Sequence, residues 1–201
     1  MAKSANNTLD RRAVVKRILA DRGPALVVSG LGSPTYDVSA SGDNDRNFYL
    51  WGAMGSAVPM GLGLALAQPD LPVLVVTGDG EMLMGLGSLA TAGVKRPRNL
   101  TIVVLDNERY GETGMQPSHS GLGVDLVEIA QSCGFDWSMA VTDEPALAEL
   151  CAKAFAIDGC GLANIKVSAK PLPRTMPSRD GVYLKHRFRA SVLGDEEQIL
   201  Q

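Results

Sequence analysis

VLVVTGDGEMLMGLGSLATAGVKRPRNLTIVVLDNERYGETGMQ, residues 73–116, is the stretch that decides the fold. It contains two apolar runs, 73–76 and 101–105, and each run ends in a polar turn. An apolar run that ends in glycine and aspartate, followed by a helix and a second such run, is typical of a parallel βαβ unit. Ligands of such sheets bind beyond the carboxyl ends of the strands, so we expect both polar turns to open on one crevice.

The same alternation extends along the rest of the chain. Four further apolar segments predict strands, at 25–28, 47–50, 135–141 and 162–167. Helices are predicted at 9–22, 35–40, 56–67, 82–92, 125–133 and 144–156. The first is amphipathic, whereas the segment at 56–67 is small and apolar on every face and is expected to be buried on all sides. The alternation predicts an α/β fold: a doubly wound, mostly parallel sheet of about six strands with helices on both faces. We expect one domain over residues 1–168, and an extended C-terminal arm over 169–201, because that segment is too polar for a core.

Composition excludes several classes of function. The net charge of −3 gives no basic field, so we expect no nucleic-acid partner. No apolar run reaches the ~20 residues that cross a membrane, and the N-terminus lacks the apolar core of a signal peptide. Cys133, Cys151 and Cys160 fit no metal-ligand spacing. They are interpreted as reduced thiols of a cytoplasmic protein.

Asp79 and Asn107 stand at the ends of the two central strands. Carboxylate and amide oxygens suit Mg²⁺ or Ca²⁺, and the glycines beside Asp79 let the backbone approach a ligand. The pattern favours a metal-bridged diphosphate site, although Asp79 as a helix cap and Asn107 as a turn residue would give the same pattern. A P-loop is excluded because its motif is missing, and the paired glycines at 30/32 and 61/63 lack the third glycine of a dinucleotide fingerprint.

Two motifs carry a resemblance to a known family. Gly78-Asp79-Gly80, followed by Leu105-Asp106-Asn107, resembles the thiamine diphosphate motif of thiamine-dependent enzymes. FYLWGAMG, residues 48–55, is similar to the pyrimidine-contacting segment of 2-oxoacid decarboxylases. VSGLGSP (28–34) and TGMQP (113–117) look like segments of the sulfopyruvate decarboxylase β subunit and of phosphonopyruvate decarboxylase. The resemblance covers about residues 25–167 and implies the diphosphate-binding (PP) domain of that family.

The resemblance implies a metal and diphosphate site. The side chains of Asp79 and Asn107 and the main-chain carbonyl of Arg109 would hold Mg²⁺. Gly80 and Glu81 would offer backbone N–H groups to the diphosphate of the cofactor, thiamine diphosphate. The remaining expected cofactor contacts are Gly78, Tyr110 and Gly111.

The resemblance also implies roles for the second motif. The carbonyl of Gly52 would accept a hydrogen bond from the aminopyrimidine, and Met54 would be the apolar wedge that bends the cofactor. A plain core methionine is the alternative interpretation of Met54. His119, in the loop nearest the crevice, is a candidate proton donor, and the alternative is a solvated loop histidine.

The implied reaction is the decarboxylation of a 2-oxoacid, whose difficult chemistry belongs to the cofactor. Family members take the carboxylate that activates the cofactor from a pyrimidine-binding (PYR) domain. We therefore expect a separate PYR-type subunit in a heteromer, α2β2 or larger. The alternatives are a carboligase half-enzyme like acetolactate synthase, the thiamine-binding subunit of a 2-oxoacid oxidoreductase, and a non-catalytic chain that keeps the fold.

The residues expected to recognise the substrate depart from the pattern of the sulfopyruvate and phosphonopyruvate group. The sulfopyruvate and phosphonopyruvate group has a basic residue near the position of Pro34, but residues 34–37 of this chain contain no Lys or Arg. Arg46, Arg109 and the arginines of the C-terminal arm are the candidates to supply that charge.

Overall fold

A computed structural model describes residues 9–194. The main sheet is built from β1 (Leu26–Ser29), β2 (Asn47–Tyr49), β3 (Val73–Gly78), β4 (Leu100–Asp106), β7 (Trp137–Val141) and β8 (Gly161–Lys166). These strands are all parallel, in the order β2-β1-β3-β4-β8-β7. β5 (Arg109–Tyr110) and β6 (Gln116–Pro117) form a short antiparallel hairpin beyond β4. All six strands predicted from the apolar runs are confirmed.

Helices connect the strands. They are α1 (Arg11–Leu19), α2 (Ser33–Ala40), α3 (Ala57–Ala67), α4 (Asp79–Met84), α5 (Gly87–Lys95), α6 (Leu126–Ser132), α7 (Glu144–Lys153) and α8 (Gly181–Leu193). An aspartate side chain caps the N-terminus of four of them, namely Asp10, Asp125, Asp143 and Asp180. The prediction of a single helix at 82–92 is wrong, because α4 ends at Met84 and a separate helix, α5, begins at Gly87.

The sheet is covered on both faces. One buried cluster joins the sheet to α1, α2 and α7 through Val15, Val38 and Leu147. The other joins it to α3, α5 and α6 through Val58, Leu89 and Ala130. The doubly wound α/β prediction is therefore confirmed. Within residues 9–194, no helix is long and apolar enough to cross a membrane.

The strand order fixes where a ligand can bind. From β1 the chain passes to β2 on one side, whereas from β3 it passes to β4 on the other side. The connections thus diverge at the carboxyl ends of β1 and β3, and a crevice opens at such a switch point. The turn at 78–81 lies at this point.

The C-terminal segment differs from the prediction. Residues 169–180 contain no helix or strand, as an extended arm requires, but residues 181–193 form α8. Leu184 is buried, and the ring of Phe188 packs 5.5 Å from that of Phe48. The extended-arm prediction is therefore wrong for α8, because its apolar side chains repeat every four residues among many basic ones. The domain division after residue 168 stays a prediction, and residues 195–201 lie outside the described part.

Candidate functional site

A cavity of about 340 Å³ lies at the carboxyl ends of β1, β3 and β4. Nine of the predicted site residues line it: Met54, Gly78, Asp79, Gly80, Glu81, Asn107, Arg109, Tyr110 and Gly111. Gly52 is exposed on the same loop as Met54, but it does not line the cavity. The structure thus brings the two sequence motifs to one place, although 24 residues separate Met54 from Gly78 in the chain.

Asp79 is one of two buried acids that line this cavity, and the other is Glu81. Asp79 is only 3% exposed, and its Oδ2 accepts a hydrogen bond from Ser118 Oγ. Ser120 Oγ lies 3.3 Å from the same oxygen and 2.7 Å from Asp106 Oδ1. Burial raises the pKa of Asp79, and the neighbouring charge of Asp106 adds to this, whereas the hydrogen bond from Ser118 opposes it. The loop at 116–122 therefore orients the carboxylate of Asp79.

Asp106 anchors the other side of this polar network. Its Oδ2 accepts hydrogen bonds from Lys166 Nζ at 2.7 Å and from Asn164 Nδ2 at 3.0 Å. The ammonium group balances Asp106, which does not line the cavity, and Asp79 is the carboxylate of this network that does.

The donor set fits a magnesium ion. Asn107 Oδ1 accepts the backbone N–H of Arg109 at 2.9 Å, which closes a tight turn and leaves a second lone pair on that oxygen. The intervening residue, Glu108, has a φ of +60°, a strained value for a side chain other than glycine. No group of three His, Cys, Asp or Glu side chains that could hold a metal occurs in residues 9–194. Carboxylate, amide and carbonyl oxygens instead suit a hard cation that takes further ligands from phosphate and water.

The side chain of Glu81 serves a purpose that the sequence did not indicate. A Cβ on Gly30 would lie 1.5 Å from Glu81 Oε2, so this glycine makes room for the carboxyl group. Oε2 accepts a hydrogen bond from Thr77 Oγ1 at 2.9 Å. Burial raises the pKa of Glu81, against the opposing hydrogen bonds from Thr77 and from the backbone N–H of Gly55. Glu81 therefore connects β3 to the loops that follow β1 and β2.

The loop that carries Met54 is fixed by close backbone contact. Gly55 has a φ of +91°, and a Cβ on Gly85 would lie 2.2 Å from the Gly55 carbonyl oxygen. Both positions therefore require glycine, and the contact lies between the end of α4 and the start of α5. On the other side, Trp51 Nε1 donates to the carbonyl of Ser178 at 2.7 Å. The segment after β8 thus holds the loop from outside.

His119 lies behind Tyr110 and not in the cavity itself. Its Nδ1 is 2.6 Å from the Tyr110 hydroxyl, and it lines a neighbouring pocket of about 310 Å³. The Tyr110 ring in turn covers Gly80, where a Cβ would lie 2.9 Å from Tyr110 Cδ1. His119 therefore reaches the predicted site only through Tyr110.

Two of the predicted cationic candidates lie elsewhere. Arg46 donates to the carbonyl of Pro24, before β1 and so at the opposite end of the sheet. Arg187, from the arm, is paired with Asp43 beside β2. Of the arginines, Arg109 and Arg11 line the cavity. Sequence reasoning missed Arg11, Ser118 and Ser120, since no local pattern relates them to Asp79.

Comparison with known proteins identifies the family. Residues 40–167 match the model of the family described as "Thiamine pyrophosphate enzyme, C-terminal TPP binding domain". The chain belongs to this family. The resemblance drawn from the GDG and FYLWGAMG motifs is confirmed.

Relatives of this chain carry names of decarboxylases. Sulfopyruvate decarboxylase subunit beta of Methanocaldococcus jannaschii is 44% identical over 124 residues, 61% of this chain and 65% of that protein. Phosphonopyruvate decarboxylase of Streptomyces viridochromogenes is 40% identical over 188 residues, 90% of this chain but 46% of that protein. Sulfopyruvate decarboxylase subunit beta of Methanococcus maripaludis is 33% identical over 186 residues, 92% of this chain and 98% of that protein.

A solved structure shares the fold. Benzoylformate decarboxylase from Polynucleobacter necessarius superposes with a TM-score of 0.68 at 19% identity, over 86% of this chain and 36% of that chain. The likeness concerns the α/β architecture alone. The chain therefore corresponds to about a third of that larger polypeptide.

Proposed function

We propose that the chain is the thiamine diphosphate- and Mg²⁺-binding subunit of a split 2-oxoacid decarboxylase of the sulfopyruvate and phosphonopyruvate type. One observation carries the proposal: a single cavity is lined by Asp79, Asn107 and Met54, which come from two separate motifs of the family. The relatives named as β subunits support a division of the enzyme between two chains.

In this proposal the side chains of Asp79 and Asn107 and the carbonyl of Arg109 would hold the metal, while Ser118 keeps the carboxylate of Asp79 oriented. The backbone N–H groups of Gly80 and its neighbour Glu81 would be available to the diphosphate. The bound cofactor supplies the electron sink for loss of CO₂.

In this proposal the remaining residues of the cavity exclude water and position the cofactor. Met54 is partly exposed to the cavity and would support the bent cofactor, with Gly52 beside it. Tyr110 covers the glycine turn. His119 stays a candidate proton donor, and it would act through the Tyr110 hydroxyl.

A partner chain would complete the site. An apolar groove of about 640 Å³ lies between α3 and α5, next to the loop of Met54. Leu66 is 49% exposed there and Met84, which also lines the candidate cavity, is 65% exposed. Large exposed apolar surface of this kind marks sites of protein association. We propose that a PYR-type subunit covers it and brings the activating carboxylate, in an α2β2 or larger assembly. A cytoplasmic location stays a prediction.

Calorimetry with the purified chain tests the cofactor assignment. We expect thiamine diphosphate to bind only with Mg²⁺, and Asp79→Asn to abolish binding while circular dichroism stays native. Asp70→Ala, a change at an exposed turn, is the control. Failure of the wild-type chain to bind the cofactor, both alone and with a PYR-type chain added, would overturn the proposal.

Reconstitution tests the division into two subunits. A 2-oxoacid panel of sulfopyruvate, phosphonopyruvate and pyruvate should show turnover only after a PYR-type chain is added. Robust decarboxylation by this chain alone would contradict the split enzyme.

A further inference from the structure

The first turn of α1 lies at the edge of the sheet where the cavity opens. Leu9 pairs with Val167, just beyond the carboxyl end of β8, and α1 starts two residues later. Arg11 and Val167 both line the cavity. Arg11 is only 7% exposed, so its guanidinium group is a buried cation in a region outside the matched residues 40–167.

Arg11 and Arg12 share one carboxylate. Asp37 is fully buried, and its Oδ2 accepts from Arg11 Nε at 2.7 Å while its Oδ1 accepts from Arg12 Nε at 3.0 Å. Arg12 Nη2 donates to the carbonyl of Pro173 at 2.6 Å. In contrast, the structure gives no acceptor within residues 9–194 for the two terminal nitrogens of Arg11. Two guanidinium groups on one aspartate leave one positive charge without a counter-ion in the cluster.

This arrangement suits an anion that enters the cavity, because Arg11 lines it. The planar fork of a guanidinium matches carboxylate, sulfonate and phosphate oxygens. The other arginine of the cavity, Arg109, is exposed and stands at the predicted metal turn. Among the described cavity residues, Arg11 is thus the buried cation suited to an oxyanion.

We propose that Arg11 is the oxyanion-binding residue of the crevice, holding either an acidic group of the substrate or a phosphate of the cofactor. Asp37 fixes the guanidinium by its Nε edge and leaves the terminal nitrogens directed to the ligand. The inference rests on the proposed function, and it supplies the positive charge that residues 34–37 lack.

Arg11→Gln and Arg12→Gln form a matched pair of variants. Each removes one of the two ion pairs to Asp37, but only Arg11 lines the cavity. Calorimetry on the full chain would measure two probes: thiamine diphosphate with Mg²⁺, and 3-sulfopropanoate added to the loaded chain. Propanoate, which lacks the second acidic group, is the reference ligand.

We expect Arg11→Gln to lower the affinity for one of the two probes about 10- to 100-fold, as for loss of a hydrogen bond to a charged group. Arg12→Gln should change neither affinity by more than about 2-fold. If Arg11→Gln binds 3-sulfopropanoate more weakly and propanoate unchanged, Arg11 contacts the substrate. If it binds thiamine diphosphate more weakly, Arg11 contacts the cofactor. Equal effects of both variants, or no effect of Arg11→Gln, would overturn the inference.

Two further results distinguish a folding defect, and a failure of the proposed function, from a failure of the role of Arg11. If Arg11→Gln does not fold, the double variant Arg11→Gln/Asp37→Asn removes the buried carboxylate together with its partner and takes its place in the comparison. If the wild-type chain does not bind thiamine diphosphate even with a PYR-type chain added, the proposed function fails. If it binds the cofactor and the variants match the wild type for both probes, only the role of Arg11 fails.

Discussion

Leu184→Ala tests whether α8 is part of the folded unit. Leu184 is 1% exposed and belongs to the same buried cluster as Tyr49 of β2. Truncation of a fully buried leucine to alanine lowers the free energy of unfolding by about 2–5 kcal/mol, the lost transfer energy plus the cavity left behind. For a chain of this size each kcal/mol lowers Tm by roughly 2–4 °C. We therefore expect Tm to fall by roughly 4–20 °C.

Val182→Ala is the control on the same helix. Val182 is 67% exposed, so its truncation should change the free energy of unfolding by no more than about 0.5 kcal/mol. Urea denaturation of the full chain, followed by far-UV circular dichroism, measures both variants. If Leu184→Ala falls within about 0.5 kcal/mol of Val182→Ala, α8 does not pack on the sheet and the reasoning is wrong.

Three other predictions concern the site and the core. Ser118→Ala removes the hydroxyl that donates to Asp79. With thiamine diphosphate present, the affinity for Mn²⁺, measured by electron paramagnetic resonance, should fall about 10- to 100-fold. An unchanged affinity would contradict the orienting role of Ser118. Gly85→Ala places a Cβ 2.2 Å from the Gly55 carbonyl oxygen. It should lower the free energy of unfolding by about 1–3 kcal/mol and weaken cofactor binding. Gly87→Ala is the control, because a Cβ on Gly87 meets nothing within 4 Å. A Gly85→Ala variant that behaves like Gly87→Ala would refute the contact. Burial raises the pKa of Cys160 to about 12, so its thiolate stays rare until the pH nears that value. Iodoacetamide at pH 8 should therefore leave Cys160 unlabelled, as measured by mass spectrometry. Labelling of Cys160 as fast as that of the half-buried Cys133 would contradict the prediction.

The sheet was predictable because its strands are buried on both faces. The run at 101–105 is a continuous apolar segment, and β4 extends it by only one residue on each side. Polar turns after such strands must lie at one edge, so the meeting of Asp79 and Asn107 followed from the parallel order alone. The second motif added Met54, which the structure brings to the same cavity.

The parts that were missed depend on contacts between distant segments. The break between α4 and α5 lies against the backbone of Gly55, which belongs to another loop. The pairing of Arg11 with Asp37 joins two helices that have no shared pattern in the sequence. Ser118 lies in a loop without periodicity, so nothing in its neighbours marks it as a partner of Asp79.

The position of α8 has a consequence for the behaviour of the chain in concentrated solution. β2 is an outer strand of the sheet, and an outer strand offers unpaired backbone groups to other copies of a chain. Here Arg187 Nη2 donates to the Asn47 carbonyl at 3.1 Å, and Ser191 Oγ donates to that of Asp45 at 3.1 Å. The helix thus covers the outer edge of the sheet at the start of β2, where another chain would otherwise pair. Proteolytic loss of residues 181–194 would leave β2 as a template for the growth of intermolecular sheets.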